Sequence, residues 1–409
     1  MSPSDPSRTL FLRERRPRDC RLTRADVDVL LAEHRPHVEV IPTGRRGLYR
    51  LTPAGHVGTI VLPTRRLVIR PKVPLANLFH LLDPAAPPPV SDDRAETVPG
   101  TEGLDFLAGR LATLLAERAA AGLHRGYAER SGRGPFLQGR LDVGAQVRQG
   151  GARKDALHCR FEEFTADVPC NRVPKAVAEL LLRSPLAGER ARSAVRQALG
   201  GFETVRAGAL GPDSFAEAEP GPLTEEYRPL WDLCRLLADG LAPGGREGAT
   251  ACPAFLLDMG RVFEGYVTRG VVASFAGRDR YRVEVQPRYA ANRPVAGRPD
   301  IHVRPDVLVA RDGEPRVVVD AKWKDLAAAP PPPDDVYQVL AYCTALGAGR
   351  GVLVYPGRRD RTSDYDMRGA PVRLTVRALR VVGGREDCER SLRRLGRSLR
   401  PPRGPAQRQ

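Results

Sequence analysis

Apolar residues recur along this chain in two rhythms, and the changes between them divide it into three parts. In residues 38–41, 47–51, 56–62 and 67–72 the apolar runs are short and separated by Pro and Gly. This predicts the strands of a small antiparallel β module. Ahead of them, residues 23–34 predict a short helix capped by Thr23, and the polar, Arg-rich residues 1–20 predict a loose arm. Residues 77–82 form a short apolar helix, and residues 83–100, with Pro87-Pro88-Pro89, have the composition of a linker. From residue 101 the period lengthens to that of helices: Leu104, Leu107, Leu111, Leu114 and Leu115 share one face. Further helices are predicted after Pro169-Cys170-Asn171-Arg172 and over residues 187–199 and 224–241. Between them, residues 123–142 interleave basic and aromatic side chains, a composition that suits DNA, a protein partner or plain solvent exposure.

From residue 251 the two rhythms alternate. Phe255, Leu256, Met259, Val262, Phe263, Tyr266, Val267 and Val271 follow a helical period through residue 275. Two apolar runs, Val307-Leu308-Val309 and Val317-Val318-Val319, then flank the turn signal Asp312-Gly313 and predict neighbouring antiparallel strands. The second run is continuously β-branched, the mark of a strand buried on both faces. The four prolines Pro330 to Pro333 predict a stiff, extended spacer. Asp334-Asp335 then cap a helix carrying Val336, Val339, Leu340, Cys343 and Leu346, and residues 350–355 predict another buried strand. Residues 372–382 predict an edge strand, and residues 388–400 a basic helix. The expected architecture is α/β: a C-terminal mixed sheet flanked by helices (251–409), preceded by a β-rich module with its linker (1–100) and a mainly helical middle region (101–250).

The chemistry concentrates at the end of the second strand of that hairpin. Residues two apart on a strand point the same way, so Asp320 and Lys322 share a face, and the first strand brings Asp306 alongside. Two carboxylates can hold a hard cation that keeps several of its waters. An ammonium beside them can position an attacking water or stabilise charge on phosphorus. The lysines are informative because there are so few: Lys72, Lys154, Lys175, Lys322 and Lys324, against sixty arginines. An ammonium stands here although the composition runs to guanidinium, and the two are not interchangeable. Register makes a sharper demand. A strict two-residue turn at Asp312-Gly313 pairs Arg311 with Glu314 and sets Asp306 across from Val319, facing away from Asp320. If both carboxylates bind one ion, a bulge or a longer loop must intervene. Glu264, at the border of the preceding helix's apolar stripe, is either a solvated face residue or a further carboxylate leaning towards the metal. Gln338 and Tyr342 lie one turn apart on the following helix.

Charge and composition narrow the partner class. With 65 Lys and Arg against 49 Asp and Glu the net charge is +16, which suits a polyanion such as DNA. Seven cysteines are scattered without a CxxC pair, arguing against structural zinc and a disulfide framework and for a reduced, cytoplasmic setting. No run of about 18 apolar residues predicts a membrane span. No GxxxxGK[ST] loop occurs, so a nucleotide-driven step would need a partner.

The order of elements, with Pro305-Asp306, Asp320-Ala321-Lys322, Glu264 ahead and Gln338 and Tyr342 behind, resembles the PD-(D/E)xK nuclease superfamily. It departs only in carrying Asp320 where many members have Glu. A closer likeness runs through His56-Val57-Gly58-Thr59-Ile60, Leu67-Val68-Ile69-Arg70-Pro71-Lys72, Gly139-Arg140-Leu141-Asp142 and Phe164 to Arg172. With the C-terminal residues, this ordered set resembles the McrC family. The resemblance implies a restriction-endonuclease-like sheet and a Mg²⁺-dependent endonuclease subunit of a modified-cytosine restriction system. It implies double-stranded DNA as substrate and a hexameric McrB-like AAA+ GTPase as partner, on which the N-terminal part docks. By the same implication Asp306, Asp320 and Lys322 are catalytic, and Glu264, Asp306 and Asp320 hold the metal. Gln338, Tyr342 and Lys324 then support the site or contact DNA. The other readings are an activator subunit with an idle site and a stand-alone repair nuclease.

Overall fold

The computed structural model describes residues 9–82, 102–148, 156–208, 210, 214–217, 226–241, 253–293, 298–326 and 330–400. The expected linker, 83–100, and part of the stretch before Pro330 lie outside the described residues. The N-terminal region comprises β1 (Thr9–Arg13), β2 (Arg18–Arg21), α1 (Arg24–Glu33), β3 (Val38–Pro42), β4 (Leu48–Pro53), β5 (His56–Val61), β6 (Arg66–Arg70) and α2 (Leu75–Leu82). Thr23 caps α1 as expected, in a capping box with Asp26. The first twenty residues are not all a loose arm: β1 lies parallel to β6 and β2 antiparallel to β4. The surrounding arginines disguise a short apolar run that buries Leu12 in the core.

The middle region contains α3 (Glu102–Ala121), β7 (Gly126–Gly134), β8 (Arg140–Leu141), α4 (Val143–Arg148), β9 (Leu157–Thr165), α5 (Pro169–Arg183), α6 (Glu189–Leu199), α7 (Ser214–Glu217) and α8 (Arg228–Leu241). The helices pack on one another, as expected. The basic–aromatic stretch, however, folds into a three-stranded antiparallel sheet ordered β7-β9-β8. Charged residues and glycines interrupt its strands, so no apolar alternation announces them. Asp167 ties this sheet to the helices. Its buried carboxylate accepts from Arg130 (2.8 Å), Arg172 (2.7 Å) and Arg206 (2.8 Å). Nearby, Asn171 Nδ2 donates to the carbonyls of His124 (2.8 Å) and Ala166 (2.7 Å), while its Oδ1 accepts from the Tyr227 hydroxyl (2.7 Å).

The remainder comprises β10 (Ala254–Asp258), α9 (Met259–Phe275), β11 (Tyr281–Val285), β12 (Tyr289–Ala290), β13 (His302–Val303), β14 (Val307–Arg311), β15 (Glu314–Ala321), α10 (Pro333–Leu346), β16 (Arg350–Gly357), β17 (Arg361–Asp366), β18 (Arg373–Arg380) and α11 (Arg385–Ser398). Six of these strands form one mixed sheet, ordered β11-β14-β15-β16-β18-β17. β15, β16 and β18 are parallel, with α10 linking the first two, whereas β14 and β17 run antiparallel to their neighbours. Alternate residues of the central strands enter opposite cores. Val307, Val309, Val317 and Val319 share one with Val262, Phe263 and Val267 of α9; Leu308 and Val318 share the other with Val339 and Cys343 of α10. That double burial explains the unbroken valine run.

Three expectations need correction here. The helix expected from residue 255 starts at Met259, because Phe255 and Leu256 belong to β10. Pro332, not Asp334-Asp335, is the N-cap of α10, and the two aspartates occupy its first turn. β18 is not an edge strand; the polar β17, whose composition hid it, forms the edge.

The expected boundary after residue 250 does not coincide with a break in packing. β10 completes the N-terminal sheet, ordered β1-β6-β5-β10, and then runs directly into α9 through the N-cap Asp258. One hydrophobic core contains Val57 from the N-terminal sheet, Leu111 from the middle region and Val319 from the large sheet. The seam depends on Gly58. Its φ is +140°, and a Cβ there would stand 2.0 Å from the Phe255 carbonyl oxygen.

Gly58→Ala is therefore expected to cost at least about 3 kcal/mol, from backbone strain plus a clash that β10 cannot relieve. Denaturant unfolding with a wild-type midpoint would contradict this. Asp167→Asn is expected to lose about 3 kcal/mol by leaving three guanidinium groups without their anion. The Arg172 hydrogen bond, supported by Arg130, holds the Asp167 carboxyl below its ordinary pKa. Its contribution is thus complete above about pH 4 and lost as the pH falls further. Equal acid sensitivity of the variant and the wild type would refute it.

Candidate active site

The hairpin β14–β15 carries the irregularity that the register demands. Asp312 (φ 54°) and Gly313 (φ 85°) form the turn, and Arg311 pairs with Glu314 and Ala310 with Pro315. The register then shifts: Val309 pairs with Val317 and Val307 with Val319, leaving Arg316 as the extra residue. Continued by one residue, this register sets Asp306 across from Asp320 and turns both carboxylates to one face.

Asp306 is fixed by its neighbours. Its Oδ2 accepts from the Ala321 amide at 2.7 Å, and its carbonyl accepts from the Gln286 amide at 2.8 Å. Burial, then the facing Asp320 and Glu264, pushes its pKa up to about 8. Asp320 is 2% exposed and is likewise raised by burial, although Lys322 opposes the shift. The Lys322 ammonium lies 2.7 Å from Asp320 Oδ2 and donates to Gln338 Oε1 at 2.7 Å. Burial disfavours that ammonium, but its pairing with Asp320 raises its pKa overall, so it stays charged. Gln338 Nε2 in turn donates to the Tyr342 hydroxyl at 2.9 Å, so the two helix residues form one chain of hydrogen bonds behind the lysine.

Glu264 reaches the same cleft from α9 and accepts a hydrogen bond from Gln286 Nε2. Lys324 lines the cleft too, but its ammonium is paired with Asp335 Oδ1 at 2.7 Å. The cleft thus brings together Glu264, Asp306, Lys322 and Lys324, with Asp320, Gln338 and Tyr342 linked behind them. Two further residues belong to the site. Gln286, held at φ 46°, links Glu264 to Arg304 and to the Asp306 backbone. A positive φ at a non-glycine residue leaves no mark in sequence. Asp335, buried on α10, accepts from both Lys324 and the Tyr355 hydroxyl (2.8 Å). In sequence, its place beside Asp334 at a helix start signals only a cap.

Among the described residues no three His, Cys, Asp or Glu side chains make a preformed metal cage. Mg²⁺ does not need one, since it keeps several waters and binds through one or two carboxylates. Asp306, Asp320 and Glu264 carry three potential negative charges against the single ammonium of Lys322. The mutual repulsion that raises Asp306 is what a divalent cation would relieve, so the donor set fits such an ion.

Above the ordinary carboxylate range, a raised Asp306 costs the folded state stability. Asp306→Asn is therefore expected to raise Tm in EDTA by about 2 °C or more, and to remove any stabilisation measured on adding Mg²⁺ to the wild type. Scanning calorimetry showing an unchanged or lower Tm in EDTA, or a surviving Mg²⁺ effect, would contradict this.

The Type IV methyl-directed restriction enzyme EcoKMcrBC of Escherichia coli (strain K12) is 23% identical over 185 residues, 44% of this chain and 52% of the relative. The match thus spans about half of that relative's length. A chain from the refined half-complex of the tetradecameric assembly of Thermococcus gammatolerans McrB AAA+ hexamers with bound McrC is 18% identical. That alignment has a TM-score of 0.49 and covers 95% of this chain and 100% of the other. A chain from the cryo-EM structure of the Thermococcus gammatolerans McrBC complex is 19% identical, with a TM-score of 0.41 over 66% of this chain and 88% of the other. The family model described as McrBC 5-methylcytosine restriction system component matches residues 51–356, three quarters of the sequence, and this chain belongs to that family.

Proposed function

We propose that this chain is the Mg²⁺-dependent DNA endonuclease subunit of a McrBC-type, modification-dependent restriction system, cutting DNA in complex with an AAA+ GTPase that it also stimulates. The observation that carries the reading is the bulge at Arg316, which turns Asp306 and Asp320 to one face beside the Lys322 ammonium. Asp306 and Asp320, with Glu264 at the rim, would hold Mg²⁺, which supplies Lewis acidity at a phosphoryl oxygen and makes a bound water more acidic.

The protein's own part is to place one fixed positive charge, the Lys322 ammonium. Asp320 and Gln338 hold the Lys322 Nζ from two sides. The remaining N–H of that ammonium points a donor at a water or at a non-bridging phosphate oxygen. Charge that builds on phosphorus during attack meets this fixed positive group without waiting for solvent to reorganise. Gln338, steadied by Tyr342, keeps the lysine from collapsing wholly onto Asp320. Lys324, anchored on Asp335, adds positive charge along the cleft.

The partner half of the reading rests on the three-stranded sheet of the middle region. There the exposed rings of Tyr127 on β7 and Phe164 on β9 lie 5.3 Å apart, and Phe136, before β8, and Val147, on α4, are exposed as well, Phe136 by 81%. Exposed apolar side chains on an otherwise polar module suit a protein partner. No helix among the described residues is long and apolar enough to cross a membrane, in keeping with a complex that works on cytoplasmic DNA.

Asp320→Ala and Lys322→Ala are each expected to lower cleavage of cytosine-methylated plasmid, with partner, GTP and Mg²⁺ present, by about a hundred- to a thousandfold. Stimulation of the partner's GTPase should persist. Wild-type cleavage by either variant would reject the assignment.

A further inference from the structure

The cleft that contains Asp306 and Lys322 has a second wall, built from the other end of the chain. Its volume is about 270 Å³, and Arg15 and Gly55 of the N-terminal region line it together with Lys322 and Lys324. Arg15 lies two residues beyond β1 with a φ of 55°, and its amide donates to the Pro53 carbonyl at 3.0 Å. This bend sends consecutive side chains in opposite directions. Glu14 is buried and accepts from Trp323 Nε1 at 2.6 Å. Arg15 turns outward, its side chain 46% exposed, and its guanidinium lies over Gly55, with Nη2 3.1 Å from where a Cβ would stand.

Trp323 directly follows Lys322 in sequence. One hydrogen bond between Glu14 and Trp323 therefore sets the position of Arg15 relative to the ammonium of the site. Lys72 reinforces this bridge: its ammonium lies 4.3 Å from the centroid of the Trp323 ring and pairs with Asp325 at 2.9 Å. The guanidinium of Arg15 is held only by a long ion pair. Its nearest carboxylate is that of Glu14, 3.7 Å away, and its side chain makes no hydrogen bond among the described residues. Asp258, the other acid on that wall, is occupied in capping α9 through the Gly260 amide at 2.8 Å.

A guanidinium fork that lines the cleft beside the proposed nuclease site, with its N–H groups free of hydrogen bonds among the described residues and only the long Glu14 ion pair to hold it, matches the geometry of a phosphate. We propose that Arg15 binds a backbone phosphate of the DNA lying in this cleft, so that the N-terminal sheet and the large mixed sheet form one composite substrate site. The assignment rests on the nuclease reading and adds to it a residue far outside the catalytic hairpin.

The test uses the full chain and a duplex oligonucleotide in EDTA, with affinity measured across a salt series. Arg15→Gln is expected to reduce the slope of log K against log[salt] by about 0.9, the share of one phosphate contact. Arg16→Gln, the exposed neighbour outside the cleft, should leave the slope unchanged. Arg15→Lys should keep the slope, yet with partner, GTP and Mg²⁺ should cleave about tenfold more slowly, because it lacks the fork. Melting curves matched to wild type exclude unfolding as the cause. Should Arg15→Gln unfold, Arg15→Lys, which keeps stem and charge, carries the test through its split between binding and cleavage. An unchanged slope in folded Arg15→Gln, an equal loss in Arg16→Gln, or wild-type cleavage by Arg15→Lys would overturn the proposal. Lys322→Ala run alongside separates the two readings: if it cleaves like wild type, the nuclease reading itself fails, whatever Arg15 does.

Discussion

Two buried carboxylates facing each other across neighbouring strands repel, and the architecture around the cleft holds them in that arrangement. Without the extra residue Arg316, Asp306 would point to the opposite face of the sheet and the repulsion would vanish, along with the site. The surrounding structure resists the strain in several ways. Valines fill both faces of the hairpin, the Ala321 amide fixes one carboxylate and the Lys322 ammonium the other, and Gln286 is held at a positive φ where it links Glu264 to the Asp306 backbone. Strain of this kind gathers at functional sites because only a well-determined surrounding can keep it.

The same hairpin end is also where the chain closes on itself. β10 completes the N-terminal sheet and hands over, through a single capped turn, to the helix that carries Glu264. Glu14 returns the contact by bonding to Trp323. The N-terminal module is thus built into the wall of the cleft, and movement of one must disturb the other. In the middle region the Asp167 knot plays a comparable part, joining a sheet with an exposed apolar surface to the helices that share the central core.

Much of this was legible in the residues themselves, for identifiable reasons. Asp312-Gly313 and the flanking valines specify a hairpin, and the alternation of side chains made the bulge a requirement once both aspartates were assigned to one face. The i, i+4 spacing of Gln338 and Tyr342 sufficed to put them on one helix face, and the tertiary contact with Lys322 places that face at the site. What stayed hidden depended on tertiary contacts. β1 and β2 are too short to show a period, and β7 has one half-buried side filled by glycines, Ala128 and Arg130, so its sequence shows no apolar alternation. Phe255 and Leu256 fit a helical stripe as well as a strand, and only pairing with β5 decides between them. Asp335 and Arg15 acquire meaning from partners far away in sequence, which no local pattern encodes.

The central claim is that Asp306 and Asp320 share one divalent ion. Its most direct test is anomalous diffraction from crystals of the full chain grown with Mn²⁺, a close stand-in for Mg²⁺ at oxygen ligands. The expected result is a peak within about 2.5 Å of a carboxylate oxygen from each of the two aspartates. A saturated crystal with no peak between them, or with its only ion bound elsewhere, would contradict the account.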